Sequence, residues 1–305
     1  MKNFSTDSMQ PLLNDAPKFP RFMGRYFVTA LKVSSDSKGK PCKVLTLSDA
    51  SGDLRVFCNA KHLIDLPIAV NQLVHVEAAL KQDHGAAYYR CKDLALSFPD
   101  KRVGHDLSVL PRSLCPVGNA FDCLLVMFSR IENPLLNQFV RDVLLQPDVG
   151  INFLLCPASL NYHHNFKGGL IKHSLETAWN IAGVAELSTL ERDVAVVAAL
   201  LHDIGKVKTM SPDIKRTQTG RVVDHSQLTL EICAWPLKNL AEFAPGMANQ
   251  LRHAWTCYSP KARYGFKPKT RVARLLQRVD NASANGKLRD GFLPSFENAV
   301  DALSA

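Results

Sequence analysis

The chain changes its hydrophobic periodicity near Pro111, and no single regular architecture accounts for both sides of that residue. From residue 21 to about residue 98, short stretches rich in β-branched and aromatic side chains are separated by turn segments such as 34–40 and 49–52. Five such stretches predict a small barrel. After Pro111, apolar residues recur every three or four positions, which is typical of amphipathic helices. The sequence therefore predicts a multi-domain α and β chain in which a β-barrel precedes an all-α helical bundle.

The barrel pattern fits an OB-fold with a helix near residues 60–66, and such barrels often bind single strands of nucleic acid. The alternative is a generic β module that packs on its neighbour. The patterns divide the 305 residues into a flexible tail, an OB-fold nucleic-acid-binding domain, a helical connector, an all-α domain and a C-terminal tail: 1–18, 19–108, 109–150, 151–290 and 291–305. We predict the main helices of the all-α domain at 169–185, 191–203, 225–242, 246–256 and 270–280.

The composition, with 46% hydrophobic and 21% charged residues, is that of an ordinary globular protein. No uncharged apolar stretch reaches the roughly 18 residues typical of a membrane helix, and the first residues lack a signal-peptide core. We therefore expect a cytoplasmic chain with no membrane partner. Eight cysteines without a C-x-x-C pair predict scattered reduced thiols rather than disulfides or a structural zinc site.

The net charge of +9 favours polyanionic partners, and part of this charge is concentrated in one run. Residues 261–278 include seven lysines and arginines, no acidic residue, and interleaved aromatic side chains. Basic groups neutralise phosphates and aromatic rings stack on unpaired bases, so the run predicts a surface for single-stranded nucleic acid. A solvated loop and helix face is the alternative. The candidate substrate contacts in this run are Arg263, Tyr264, Lys267 and Lys269.

A histidine and a later His-Asp pair are the residues with the clearest chemical meaning. His173 lies on one predicted helix, and His202-Asp203 ends the next, where Gly205 is interpreted as a helix stop. A buried His-Asp pair is costly without a partner, and a divalent metal binds imidazole nitrogen and carboxylate oxygen together. His173 alone is more often a core or surface histidine. The combination with Asp280 on a late helix is far more specific.

This joint pattern resembles the HD superfamily of metal-dependent phosphohydrolases. Residues 156–175, with Pro-Ala, a His-His pair, Gly-Gly-Leu and His173, are similar to the HD-domain entry of YhaM-type 3′→5′ exoribonucleases. The segments 199–207 and 267–280 are similar to the central motif and to the helix that delivers the final aspartate. The barrel segment 46–52 also matches. The resemblance covers about residues 20–290 in the same domain order.

The resemblance implies the roles of the site residues. The first divalent ion is held by His173, His202, Asp203 and Asp280. A second ion is shared by Asp203 with His225 and His253. Such ions neutralise phosphate charge and lower the pKa of bound water. Ligands without thiolate favour Mn²⁺, with Mg²⁺ and Fe²⁺ as alternatives, at one or two ions per chain.

Asp203 and Lys206 are the candidate catalytic residues, with Lys206 contacting the scissile phosphate or, alternatively, serving as a helix-terminal charge. His163 and His164 are candidate substrate contacts, with loop packing as the alternative. Three positions depart from the family pattern: Asp224 replaces a glycine, Ala254 a histidine and Ser283 an aspartate. The loss of the histidine at Ala254 would weaken a second metal site or alter the substrate pocket.

The function that the resemblance implies is 3′→5′ exonuclease activity on single-stranded RNA, with DNA as a further candidate and a homo-oligomer as a family-based expectation. An HD-type relaxase domain of conjugative elements shares the entry motif, through residues 157–159 and 173–176, and is the first alternative. A non-catalytic nucleic-acid-binding factor is favoured by Ala254 and Ser283. A nucleotide phosphohydrolase is the third alternative, which the strand-guiding barrel argues against.

Overall fold

A computed structural model of the chain describes residues 10–36, 39–83, 85–97, 106–257, 263 and 265–284. The chain separates into two compact units. The first reaches Ser113 and includes Gln146–Asp148, and the second comprises Leu114–Leu145 and the residues from Val149 onward. The segment predicted as a helical connector, 109–150, therefore lies largely within the second unit. The predicted C-terminal tail, 291–305, falls outside the described residues.

The first unit is a closed five-stranded barrel with strand order β1-β2-β3-β5-β4. Its strands are β1 (Arg21–Ser35), β2 (Pro41–Ser48), β3 (Asp53–Cys58), β4 (Leu73–Asp83) and β5 (Ala86–Leu96), and the short helix α1 (Lys61–Ile64) follows β3. β1 pairs with both β2 and β4, which closes the barrel. β3 and β5 pair in parallel, whereas the other strand pairs are antiparallel. This arrangement confirms the predicted OB-like fold.

Alternating side chains of these strands fill the barrel interior, as period-two patterning requires. The fully buried members include Tyr26, Val28, Leu45, Leu47, Val56, Val74 and Val76. Burying a large apolar side chain of this kind contributes roughly 1.5–3 kcal/mol. The same alternation leaves Arg55 exposed and Phe57 and Arg90 partly exposed on the outer surface of β3 and β5.

The prediction of a flexible tail over 1–18 is wrong for its described part, residues 10–18. A 3₁₀ helix at Leu13–Lys18 buries Leu13 and Ala16 in the barrel core. The Leu13 backbone N–H donates to an Asp49 carboxylate oxygen over 2.8 Å. The Tyr26 hydroxyl donates to the Pro11 carbonyl over 2.6 Å. Polar composition suggested a tail, but two apolar side chains and a buried carboxylate partner hold this segment on the barrel.

The second unit is helical, which confirms the predicted all-α bundle. Its helices are α2 (Ala120–Ser129), α3 (Pro134–Leu144), α4 (Val149–Leu155), α5 (Gly169–Ala182), α6 (Thr189–Leu201), α7 (Lys206–Thr209), α8 (His225–Phe243), α9 (Pro245–Thr256) and α10 (Arg271–Ala284). A hairpin of two short strands, β6 (Met210–Ser211) and β7 (Lys215–Arg216), follows α7. None of the described helices is long and apolar enough to cross a membrane.

The helices that carry the site begin at recognisable sequence signals. α5 starts after Gly168, whose φ of 82° suits glycine at this turn. α6 starts with a capping box in which Ser188 and Glu191 satisfy each other's backbone donors. α8 starts after Asp224, whose carboxylate accepts from the Ser226 N–H over 2.8 Å. The departure from glycine at position 224 therefore supplies an N-cap.

Candidate metal centre

Helix α5, the C-terminal end of α6 and helix α10 bring His173, His202 and Asp280 together. His173 Nε2 lies 3.1 Å from His202 Nε2 and 3.2 Å from Asp280 Oδ1. His202 Nε2 lies 3.5 Å from the same Asp280 oxygen. One ligand atom from each residue falls within 4.8 Å of the others. Two imidazole nitrogens and a carboxylate oxygen that face one point form a His/His/Asp site able to hold a metal ion.

Hydrogen bonds on the opposite ring edges orient both histidines. His202 Nδ1 lies 2.7 Å from the Ala199 carbonyl and therefore donates to it, which leaves Nε2 facing the cluster. His173 Nδ1 lies 3.1 Å from Ser283 Oγ. Such outer contacts fix the tautomer and ring orientation of metal-binding histidines. The residues present thus fit a divalent cation in both donor chemistry and orientation.

Asp203 borders this cluster and is buried, with 5% of its surface exposed. Its Oδ2 lies 3.5 Å from His173 Nε2 and 3.4 Å from His202 Nε2. Lys206 Nζ contacts the same oxygen. Oδ1 lies 3.1 Å from His225 Nε2. The structure therefore collects the four predicted first-ion residues in one place. Lys206 contacts the Asp203 oxygen that faces the two histidines, and His225 contacts the other oxygen.

The cluster keeps its acids ionised. Burial alone would raise the pKa of the Asp203 carboxyl, but His202 and Lys206 outweigh it and hold that pKa well below its usual range. The pKa of Asp280 is likewise lowered, because His173 and His202 overcome the effect of burial. Burial lowers the pKa of His173, which favours its neutral form. Burial opposes charge on His202 too, yet Asp203 and Asp280 raise its pKa to about 10. Ionised carboxylates and a neutral imidazole are the forms that bind cations, so His173 is ready to bind one, whereas His202 has to release its proton to the solvent first.

The absence of a side chain at Gly205 lets the start of α8 approach closely, so that His225 contacts Asp203. A Cβ at position 205 would lie 1.9 Å from the His225 carbonyl oxygen and 2.7 Å from the Thr229 nitrogen. Thr229 Oγ1 accepts from the Gly205 N–H and donates to the His202 carbonyl, each over 3.1 Å. Gly205 has ordinary right-handed helical angles, so its interpretation as a helix stop is wrong. The position is instead a close approach between backbones.

His253 does not join the site. Its Nε2 accepts a hydrogen bond from the Lys269 backbone N–H over 2.9 Å, which occupies that nitrogen. Within the described part of the chain, the group that could share an ion is His173, His202 and Asp280. The structure therefore does not assemble the predicted second-ion set of Asp203, His225 and His253. The match to the family motif placed His253 in this set. A match between sequences does not show that the Lys269 N–H occupies the ring nitrogen of His253.

His164 lies next to the cluster, whereas His163 is exposed. The His164 ring is 5.5 Å from the His173 ring, and its Nε2 lies 2.8 Å from Glu176 Oε2. Sequence reasoning did not select Glu176 or the contact through Ser283. A signal existed for both, because each residue follows a ligand by three positions on its helix and so shares its face.

The basic run is exposed in its described part, at Arg263, Lys267 and Lys269. Lys269 Nζ lies 5.4 Å from the centre of the Phe266 ring. Tyr264, the fourth substrate contact predicted in this run, lies outside the described residues. The run continues into the first part of α10, the helix that carries Asp280.

Replacing Ser283 with alanine is expected to weaken divalent-metal binding, because His173 loses its orienting partner. A loss of about 10–100-fold in Mn²⁺ affinity is expected for an outer contact of this kind. Calorimetric titration with Mn²⁺ measures it. Ser174→Ala is the matched control, since Ser174 is a buried neighbour of His173 whose Oγ lacks a hydrogen-bond partner among the described residues. Equal Mn²⁺ affinities for the two variants would contradict a role for Ser283.

Comparisons with known proteins identify the domain that carries this cluster. The HD domain model matches residues 170–285. The 3′-5′ exoribonuclease YhaM of Bacillus subtilis is 25% identical over 263 residues, covering 83% of this chain and 82% of the relative. The YhaM protein of Listeria innocua is 25% identical over 270 residues, covering 84% and 83%.

A solved structure, the second OB-fold domain of replication protein A from Methanococcus maripaludis, matches 28% of this chain and 86% of its own. Its identity to this chain is 18% and its TM-score is 0.21. The chain carries an HD domain at residues 170–285 and, over most of its length, is similar to YhaM-type 3′-5′ exoribonucleases.

Proposed function

We propose that the chain is a metal-dependent 3′→5′ exonuclease that acts on single-stranded RNA, with single-stranded DNA as a second substrate to be tested. The observation that carries the proposal is the cluster of His173, His202 and Asp280, with Asp203 at its border, in an HD domain. The relatives are named as 3′-5′ exoribonucleases and cover both units of the chain. The barrel is of a type that binds single strands.

In this proposal His173, His202, Asp203 and Asp280 hold a divalent ion. The chemistry that a bound ion supplies is neutralisation of phosphate charge and acidification of water. Ala199 and Ser283 keep the two imidazoles aimed at the cluster. Mn²⁺ is the proposed metal, with Mg²⁺ and Fe²⁺ as the alternatives, because nitrogen and oxygen donors without sulfur suit these ions.

Lys206 is proposed to bind the reacting phosphate. Its ammonium has three donors, one of which contacts Asp203, so two remain. The side chain is partly exposed, at 17%, beside a carboxylate with 7% exposure. A cation at this position attracts the phosphate without displacing the ligands. The exposed Lys267 and Lys269 are proposed as further phosphate contacts.

The alternatives receive less support. The relaxase alternative gains none from the relatives, which are named as exoribonucleases. A non-catalytic binding factor has no need of a His/His/Asp cluster with oriented imidazoles. A hydrolase of free nucleotides has no need of a strand-binding barrel. A cytoplasmic location and a homo-oligomer stay predictions.

The proposal is tested with strands labelled at one end. In the presence of Mn²⁺, RNA labelled at the 5′ end is expected to shorten progressively, whereas RNA labelled at the 3′ end releases its label in the first product. Parallel reactions with DNA and with free nucleotides rank the substrates. Turnover of free nucleotides with no shortening of either strand would contradict the proposal and support a nucleotide phosphohydrolase.

A further inference from the structure

A short basic segment connects two residues that both contact Asp203. Lys206 contacts Asp203 Oδ2 at the beginning of α7, and His225 Nε2 lies 3.1 Å from Oδ1 at the beginning of α8. Between them the chain forms the hairpin of β6 and β7, in which Met210 pairs with Arg216 and Ser211 with Lys215. We call residues 208–221 the basic hairpin. Because both of its flanks contact one carboxylate, the basic hairpin lies beside the metal centre.

The basic hairpin carries charge that the described protein does not neutralise. Its basic side chains are exposed: Lys208, Lys215, Arg216 and Arg221. Asp213 is the single acidic residue in the segment. Within the described residues, none of these four side chains has a carboxylate in ion-pair contact. An unpaired cluster of cations at a fixed position creates a local positive potential for an anionic ligand.

Hydrogen bonds hold the basic hairpin in one conformation. The Thr217 N–H donates to the Thr209 carbonyl over 3.0 Å, and Thr217 Oγ1 donates to the Lys208 carbonyl over 2.6 Å. The Gly220 N–H donates to Thr217 Oγ1 over 3.0 Å, and Arg216 donates to the Gly220 carbonyl over the same distance. A Cβ at position 220 would lie 2.1 Å from the Thr209 carbonyl oxygen, so the chain is closely packed there. The lysine side chains thus project from a rigid base.

The distances along the chain limit how far these charges lie from the site. Lys208 is two residues from Lys206. Lys215 pairs with Ser211. Ser211 is five residues from Lys206, so the Cα atoms of Ser211 and Lys206 lie at most about 18 Å apart. A polynucleotide whose terminal phosphate lies at the metal centre would bring its next phosphates into this range.

We propose that the basic hairpin is a phosphate-binding surface for the strand that enters the metal centre, and that Lys208 and Lys215 contact the backbone phosphates next to the terminal one. The proposal rests on the proposed function and extends it to residues outside the metal cluster. Lysine contacts to phosphates release counterions and do not read bases. The hairpin therefore contributes affinity for single strands of any sequence.

The test replaces both lysines, in the full chain, with glutamine. Binding of a labelled single-stranded RNA is measured in a chelator, so that strands are bound but not cut. The variant with Lys208→Gln and Lys215→Gln is expected to bind about fivefold more weakly per lysine at low salt. The slope of log K against log salt is expected to become shallower by about 0.7 for each lost phosphate contact. The loss is expected to be larger for a long strand than for a dinucleotide.

Lys238→Gln is the matched control. Lys238 is an exposed lysine of the same unit, thirteen residues after His225 on α8 and so about 20 Å along the helix axis. It is expected to bind with the parent affinity and salt slope. The charge-conserving variant with Lys208→Arg and Lys215→Arg is expected to restore both quantities, which separates lost charge from lost folding.

An unchanged affinity and slope in the glutamine variant would overturn the proposal for the hairpin, whether or not the parent cuts RNA. A protein that cuts no strand, yet loses affinity through the glutamine changes, would contradict the proposed function and leave the hairpin proposal standing. Weaker binding that the arginine variant does not restore would also overturn the phosphate contact.

Discussion

Replacing His202 and Asp203 together with alanine is expected to abolish hydrolysis of single-stranded RNA. His202 provides one of the two Nε2 atoms of the cluster, 3.1 Å from its partner on His173. Asp203 provides the carboxylate between the cluster, Lys206 and His225. A bound divalent ion contributes several kcal/mol of charge stabilisation, so its loss lowers the rate by about a thousandfold or more. Initial rates on 5′-labelled RNA measure this effect.

The histidine of α9 gives the matched control for this double variant. His253→Ala removes an imidazole from the same unit, but one whose Nε2 accepts from the Lys269 backbone. We expect His253→Ala to retain the metal content of the parent and the double variant to lose it, as measured by elemental analysis of purified protein. A double variant that digests RNA at the parent rate would show that these two residues are not the site.

Replacing Gly205 with alanine is expected to destabilise the protein strongly for a single added methyl group. The added Cβ would meet backbone atoms of His225 and Thr229, which cannot rotate away as a flexible side chain can. Overpacking typically costs about 1–3 kcal/mol, and rigid neighbours place this position at the upper end of that range. In a unit of this size, each kcal/mol lowers the melting temperature by about 2–4 °C. Thermal unfolding of the full chain measures the shift.

The control for Gly205 is Gly246 on α9, where a Cβ would meet no heavy atom within 4 Å. Gly246→Ala is expected to raise the melting temperature slightly, because alanine favours the helix by about 0.5–1 kcal/mol. Gly205→Ala is also expected to reduce activity, since the forced shift separates His225 from Asp203. Equal melting temperatures for the two variants would contradict the close approach at position 205.

Much of the fold could be predicted because hydrophobic periodicity reports which face of an element is buried. The switch from period two to helical spacing near Pro111 separated the barrel from the bundle. The segment at 10–18 could not be predicted in the same way. Its position depends on a hydrogen bond from Leu13 to Asp49, which is 36 residues away. Composition alone contains no information on such a partner.

The ligands of the candidate site could likewise be predicted from the sequence, whereas a contact that orients one of them could not. The resemblance to the HD superfamily predicts that His173, His202 and Asp280 hold one ion, and the structure places them together. The contact between His173 and Ser283 spans 110 residues, so it depends on how α10 packs against α5. Position 283 departs from the family pattern, yet its serine hydroxyl lies 3.1 Å from His173 Nδ1. The change from aspartate to Ser283 suggested that a site residue was lost, but the structure shows that Ser283 still orients His173.

The most direct test of the central claim uses metal-stripped protein and single-stranded RNA labelled at the 5′ end. Addition of Mn²⁺ is expected to produce a ladder of progressively shorter labelled strands, and a chelator added midway is expected to stop the shortening. Mg²⁺ and Fe²⁺ in parallel reactions identify the preferred ion. Two results would contradict a metal-dependent 3′→5′ exonuclease: full-length RNA at every metal concentration, or shortening that continues unchanged in the chelator.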